Sequence, residues 1–160
     1  MDHLPPMEIT SQFEKLLAAL ATDEIDFAVV GGLAVIFNGY PRTTQDADII
    51  VQESPENLRK LLACLELWGE GWARELKPED FLLEAGAIRV REEFELDIFT
   101  RMLDKKLEDF RPRLRFWEIN GARIPYLSPV DLIFLKSGSW RDKDKLDVQA
   151  MQEIIARESR

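Results

Sequence analysis

FAVVGGLAVIFNGYPRTTQDADIIV, residues 27–51, is the stretch on which the reading of this chain turns. A short apolar run ends in Gly31-Gly32, an amphipathic segment follows, and Asp46-Ala47-Asp48 sits at the mouth of a second apolar run, Ile49-Ile50-Val51. Side chains alternate across a strand, so Asp46 and Asp48 point to the same side. Like charges held that close repel, and ionised carboxylates resist leaving water; a cation is expected between them. With no histidine nearby, the donors are hard oxygens, which suit Mg²⁺ or Mn²⁺. Such an ion commonly holds substrate phosphates as well, and glycines let main-chain N–H groups come close to a phosphate. This stretch alone points to phosphoryl or nucleotidyl transfer.

The chain has 160 residues, 46% of them hydrophobic and 32% charged, which suffices for a real core and leaves little room for a second domain. Residues 1–160 are therefore expected to form one domain. The longest apolar run, residues 27–37, is too short to span a bilayer, and the N-terminus has no basic start before an apolar core. Cys64, the one cysteine, sits among Leu61, Leu62 and Leu65 and reads as a buried free thiol, which fits a reducing cytoplasm. The net charge of −9 is uneven: residues 1–100 hold 8 basic and 20 acidic side chains, residues 101–160 hold 13 and 10. Broad nucleic-acid binding does not suit so acidic a chain, although a local basic face remains open. His3 is the only histidine and lies at the terminus, so zinc sites and Ser-His-Asp or Cys-His chemistry are excluded.

Helical spacing of Phe13, Leu16, Leu17 and Leu20 behind a capping box at Ser11–Glu14 predicts a helix over 11–21. A buried strand follows at 26–30, a helix from Gly32 to Asn38 closed by Gly39 and Pro41, and a strand at 46–51. Pro55 opens a helix to about Trp68. Alternation marks strand structure from Phe81 to Thr100, clearest at Leu96-Asp97-Ile98-Phe99. Asn120-Gly121 joins strands 114–119 and 123–127 as a hairpin. A helix starts at Ser128-Pro129 and a last one covers 142–156, so the C-terminal helical part, about 129–157, is short. The expected class is α/β (α+β), a mixed sheet flanked by helices.

Each candidate has a plainer reading beside it. Asp46 and Asp48 fit a metal site or a solvent-facing edge strand; the apolar run after them favours a central strand, where spare charges are rare. Asp97, alone inside an apolar strand, needs a buried partner or is a third metal ligand. Three strand-borne aspartates are what two-metal catalysis requires, with ions about 4 Å apart. Gly31-Gly32 is a phosphate-approaching turn or a simple strand-to-helix turn, and no Rossmann or P-loop motif is present. Arg42, with Thr43 and Thr44, either pairs with the aspartates or reaches a phosphate. Lys136 and the run Arg141-x-Lys143-Asp144-x-x-Asp147 supply phosphate-binding cations or helix-surface pairs. The tryptophans at 68, 72, 117 and 140 read as packing; exposed Phe116, Trp117 and Trp140 would also allow self-association.

Gly31-Gly32, the helix after it, Arg42-x-Thr44-x-Asp46-x-Asp48 and Leu96-Asp97-Ile98 resemble the DNA-polymerase-beta-like nucleotidyltransferase superfamily. Leu127-Ser128-Pro129-x-Asp131-Leu132, Lys136 and Lys143-Asp144-x-x-Asp147 resemble its small prokaryotic branch related to abortive-infection toxin–antitoxin nucleotidyltransferases. The resemblance runs from about 27 to 150. It implies Mg²⁺-dependent transfer of a nucleoside monophosphate from a nucleoside triphosphate to an RNA or protein hydroxyl, with an antitoxin partner conceivable. It makes Asp46, Asp48 and Asp97 the metal ligands and catalytic residues. Gly31, Gly32, Arg42, Thr44 and Lys136 then bind the nucleotide, with Lys143 and Asp144 lining its pocket. A catalytically inactive binding or regulatory module on the same fold is the alternative.

Overall fold

The computed structural model describes residues 8–67, 77, 87–91 and 95–160. In chain order the elements are α1 (Glu8–Thr22), β1 (Phe27–Val30), α2 (Gly31–Phe37), β2 (Asp46–Val51), α3 (Pro55–Leu65), β3 (Ala87–Arg91) and β4 (Glu95–Phe99). After them come α4 (Leu107–Phe110) with a 3₁₀ turn at Arg111–Arg113, β5 (Arg115–Ile119), β6 (Ala122–Tyr126), α5 (Pro129–Lys136) and α6 (Asp142–Glu158).

The strands form one mixed sheet of six in the order β3-β4-β2-β1-β6-β5. β1 runs antiparallel to β2 and parallel to β6, β2 is parallel to β4, and the outer pairs β3/β4 and β5/β6 are antiparallel. The class is thus the expected α/β with a mixed sheet and flanking helices. All of Phe27–Val30 and Ile49–Val51 is buried, as continuous apolar runs require in strands covered on both faces. β2 lies between β4 and β1, so Asp46 and Asp48 are not on an edge strand. The register sets Asp48 beside Val30 on one side and Asp97 on the other, with Arg89 opposite Asp97 on β3.

Phe13, Leu16, Leu17 and Leu20 of α1 and the leucines of α3 join the strands in one core. α1 packs on β6 and α3, whereas α2 packs on β1 and β2 and against α5 and α6. Asn120 and Gly121 both have positive φ, +49° and +84°, as a two-residue type I′ loop demands, and Ile119 pairs with Ala122 across it. Cys64 is a free thiol, pushed up to about 12 by burial and by Asp23 beside it, and is inert as a nucleophile at neutral pH. Among the described residues no helix is long and apolar enough to cross a membrane.

Element ends differ from the sequence reading in three places. α1 already runs at Glu8, so Ser11–Glu14 lies inside the helix and not at its start. α2 begins at Gly31 because the chain turns straight from β1 into the helix, with Gly31 at φ +66°. α3 stops at Leu65, where the buried face runs out: Leu67 is 85% exposed. Trp68, Trp72 and most of 81–94 lie outside the described residues.

One buried amide fastens the central strands at the end away from the aspartate pair. Asn57 Nδ2 donates to the carbonyls of Asp26 (2.9 Å) and Gln52 (2.8 Å), and its Oδ1 accepts from the Asp26 N–H at 2.8 Å. Asn57→Ala takes its bonds from the Asp26 N–H and the Gln52 carbonyl, while the Asp26 carbonyl keeps the Gln52 N–H at 3.0 Å; it should lower unfolding free energy by about 1–3 kcal/mol in urea titration. A loss within a few tenths would remove this clamp from the fold's support.

Candidate functional site

The site starts where β1 ends. Gly31 carries no side chain, and a Cβ there would lie 2.1 Å from Asp48 Oδ2. Gly32 is equally confined by a different group: its Cβ would lie 2.1 Å from Arg42 Nη1 and 3.2 Å from Thr44 Oγ1. The two glycines therefore leave space for a carboxylate and a guanidinium respectively, a close approach only glycine permits.

Asp48 and Asp97 are register partners on parallel strands and share a hydrogen bond between their side chains. Burial first, then the charge of Asp97, its hydrogen bond and the charge of Asp46, push the Asp48 carboxyl up to about 7; Lys136 acts in the opposite sense. Carboxylates this close cannot both stay ionised without a counter-charge, so near neutrality Asp48 holds a proton part of the time. Asp46, Asp48 and Asp97 offer oxygen donors only, the chemistry of a hard cation. Among the described residues, however, no group of three or more His, Cys, Asp or Glu side chains is gathered closely enough to hold a metal as it stands.

A second cluster joins the loop before β2 to the C-terminal helices. Arg42 Nε lies 3.2 Å from Asp147 Oδ1, and Lys136 Nζ lies 3.0 Å from both Asp147 Oδ2 and Asp144 Oδ1. Ser139 Oγ donates to Asp144 Oδ2 at 2.7 Å. Burial raises the Asp144 pKa, but Ser139, Lys136 and Arg141 outweigh it and leave the carboxyl below its usual range. Asp147 is wholly buried. Its ion pairs lack hydrogen-bond angles, so both of its oxygens and Arg42 Nη1 are buried without a hydrogen-bond partner.

A cleft of about 410 Å³ lies between these groups, lined by Tyr40, Arg42, Thr43, Thr44, Gln45, Asp46, Lys143, Leu146 and Asp147. Of the residues expected at the site, Arg42, Thr44, Asp46 and Lys143 line it. Gly31, Asp48 and Asp97 meet beside Asp46 on the sheet. Lys136 and Asp144 do not line the cleft and connect to it through Asp147. Arg42 pairs with neither strand aspartate; its partner is Asp147, which the sequence reading left out of the site. The signal was there, because Asp144 and Asp147 stand three apart on a helix and so share a face. Asp131, in the Ser128-Pro129 segment, is engaged structurally: Arg113 Nε bonds both its oxygens at 2.9 and 3.1 Å.

The pH response of Asp48 has a definite sign. A carboxyl with its pKa raised from 3.8 to about 7 on folding binds its proton more tightly in the native state. Stability is then lost as pH rises between those values, and the penalty is complete above the upper one. Asp48→Asn, whose amide can still donate to Asp97, should melt higher than the parent at pH 8, with the gap closing towards pH 4. Parallel melting curves across that range would show that Asp48 is not a repelled carboxylate.

Known proteins resemble this arrangement. A family model, "Nucleotidyltransferase of unknown function (DUF6036)", matches residues 7–157. No curated protein matches the chain in sequence. The lincosamide antibiotic adenylyltransferase LnuA, solved with lincomycin, superposes with TM-score 0.63 at 16% identity over 89% of this chain and 96% of its own. ANT(2″)-Ia, solved with adenylyl-2″-tobramycin, gives 0.56 at 15% identity over 95% and 91%. An antigenic nucleotidyltransferase-like protein from Paracoccidioides brasiliensis gives 0.55 at 17% identity over 93% and 76%. At such identities these likenesses speak for the fold, and with the family match over nearly the whole chain the conclusion is direct: the chain belongs to the DUF6036 family of nucleotidyltransferases.

Proposed function

We propose that the protein is a divalent-metal-dependent nucleotidyltransferase that moves a nucleoside monophosphate from a nucleoside triphosphate to a hydroxyl group, breaking the α–β phosphoanhydride bond and releasing pyrophosphate. The observation that carries this reading is the Asp48–Asp97 pair, hydrogen-bonded across parallel strands and set against the bare main chain of Gly31. The residues fit Mg²⁺ or Mn²⁺: their donors are hard oxygens, and burial together with the charges of Asp97 and Asp46, which lift Asp48 to about 7, is what a bound cation would offset. Asp46 and Asp48 would hold the ion from β2 and Asp97 from β4. When bound, it supplies charge to the triphosphate and acidifies the attacking hydroxyl. Asp97, buried and bonded to Asp48, is placed to take the acceptor's proton, while Arg42 and Lys143 face the phosphates from the cleft. The adenylylated tobramycin bound by ANT(2″)-Ia illustrates the same bond made on a small molecule.

For the acceptor we infer an RNA or protein hydroxyl, with a place in a toxin–antitoxin pair following from the resemblance of the Leu-Ser-Pro and Lys-Asp-x-x-Asp segments. A second reading, a non-catalytic module that keeps the fold, is favoured by the engagement of Lys136 with Asp144 and Asp147.

Calorimetric titration with a non-hydrolysable nucleoside triphosphate and Mg²⁺ separates the two. The parent should bind, and Asp48→Asn with Asp97→Asn should weaken binding by at least about tenfold, or 1.4 kcal/mol. Mn²⁺ should raise the parent's melting temperature and leave the double variant unmoved, since only a native-state site gains from the ion. Absence of binding by the parent, or equal binding by both, sinks the enzymatic reading. Incubating the parent with α-labelled nucleotide and RNA, protein or small-molecule alcohols then sorts the acceptor class.

A further inference from the structure

Among the described residues, Arg42 Nη1 is the only buried side-chain nitrogen without a hydrogen-bond partner. A buried donor left unspent is costly, and native folds rarely keep one without use. Arg42 is not loose: its side chain is only 13% exposed and Asp147 pins it through Nε. The guanidinium is thus held through Nε, while Nη1 is buried without an acceptor. Nη1 stands over Gly32, where a Cβ would sit 2.1 Å from it. Gly32 is not among the positive-φ glycines, so its backbone does not call for glycine; the space does.

We propose that Asp147 is a positioning residue: it holds the Arg42 guanidinium over Gly32 so that Nη1 meets the phosphates of a nucleotide in the adjoining cleft. Gly32 serves the nucleotide by making room for that guanidinium. This rests on the nucleotide reading above. The cleft wall supports it, for Arg42, Thr43, Thr44, Lys143 and Asp46 line one space, so an anion there lies between two cations and the metal-binding strand. Stability alone accounts poorly for the pair, because buried ion pairs without full hydrogen bonding seldom outdo apolar packing. Phosphate oxygens are the acceptors a fixed guanidinium edge fits best.

The test is a double-mutant cycle read in affinity for a non-hydrolysable nucleoside triphosphate with Mg²⁺. Gly32→Ala should still fold, because alanine is the better helix former and this offsets part of the cost of displacing the Arg42 tip and easing Thr44 Oγ1, 3.2 Å away. It should nonetheless weaken binding about tenfold, and Asp147→Asn should do the same. In an Arg42→Gln background, Gly32→Ala should cost nothing further. Asp147→Asn should there cost at most about threefold, the share that passes through Lys136. A purely structural Asp147 would lower the melting temperature and leave the affinity of the folded variant unchanged. That outcome overturns the proposal, as does full additivity of the Gly32 and Arg42 losses, and in both cases nucleotide binding by the parent keeps the broader reading intact. A parent that binds no nucleotide removes both. If Asp147→Asn does not fold, the cycle between Gly32→Ala and Arg42→Gln decides alone.

Discussion

Two side chains of opposite charge occupy the positions that Cβ atoms would take at residues 31 and 32. Asp48 Oδ2 stands against Gly31, and Arg42 Nη1 against Gly32. Most of the architecture near the site follows from satisfying both contacts at once. β2 must lie beside β1 in the register that sets Asp48 next to Val30, one residue before the turn. The intervening chain must fold back so that Arg42 reaches the first turn of α2. A side chain at either glycine would push a charged group out of its place without disturbing the strands themselves. The pair is therefore a constraint of the site and only secondarily of the sheet.

The electrostatics divide into an unbalanced part and a balanced one. Burial of Asp48 beside the like charges of Asp97 and Asp46 holds its proton to about pH 7. Arg42, Lys136, Asp144 and Asp147 pair two cations with two carboxylates in a buried group. Removing one member of such a group leaves an uncompensated buried charge, which typically costs about 3–5 kcal/mol. The balanced cluster is rigid for that reason, and the unbalanced one is receptive to a cation.

Much of the fold was legible in the sequence because its signals are local. The apolar runs 27–30 and 49–51, the Asn120-Gly121 turn and the leucine stripes of α1 and α3 act through nearest neighbours or single faces. The aspartates of β2 and β4 were legible as charges inside apolar strands, which need a reason wherever they occur. Asp147 was legible only as sharing a helix face with Asp144; that it partners Arg42 was not, because a contact between residues 42 and 147 depends on how α6 packs on α2 and leaves no periodic trace. The capping box at Ser11 misled for a related cause: the motif is local, whereas the start of α1 is not set by it. The separate duties of Gly31 and Gly32 could not be read either, since a double glycine has the same letters whether it admits a ligand or two side chains.

The balanced cluster also bears on how an incoming triphosphate would be met. Lys136, the cation the family resemblance favours, is engaged by two carboxylates at 3.0 Å, and the field it exerts opposes part of the rise of the Asp48 carboxyl. Drawing it onto a phosphate would expose the buried Asp147 to an uncompensated charge. Arg42 Nη1 carries no such penalty, because its Nε can keep Asp147 while Nη1 takes a new acceptor. Lys143, exposed on the cleft wall, is likewise available. Under the proposed function, the first contacts to phosphate would come from the loop before β2 and the first turn of α6, and Lys136 would act on Asp48 at a distance. The C-terminal helices would then be part of the site: α6 supplies Asp147, Lys143 and Leu146 to the cleft, and α5 supplies the charge that tempers Asp48.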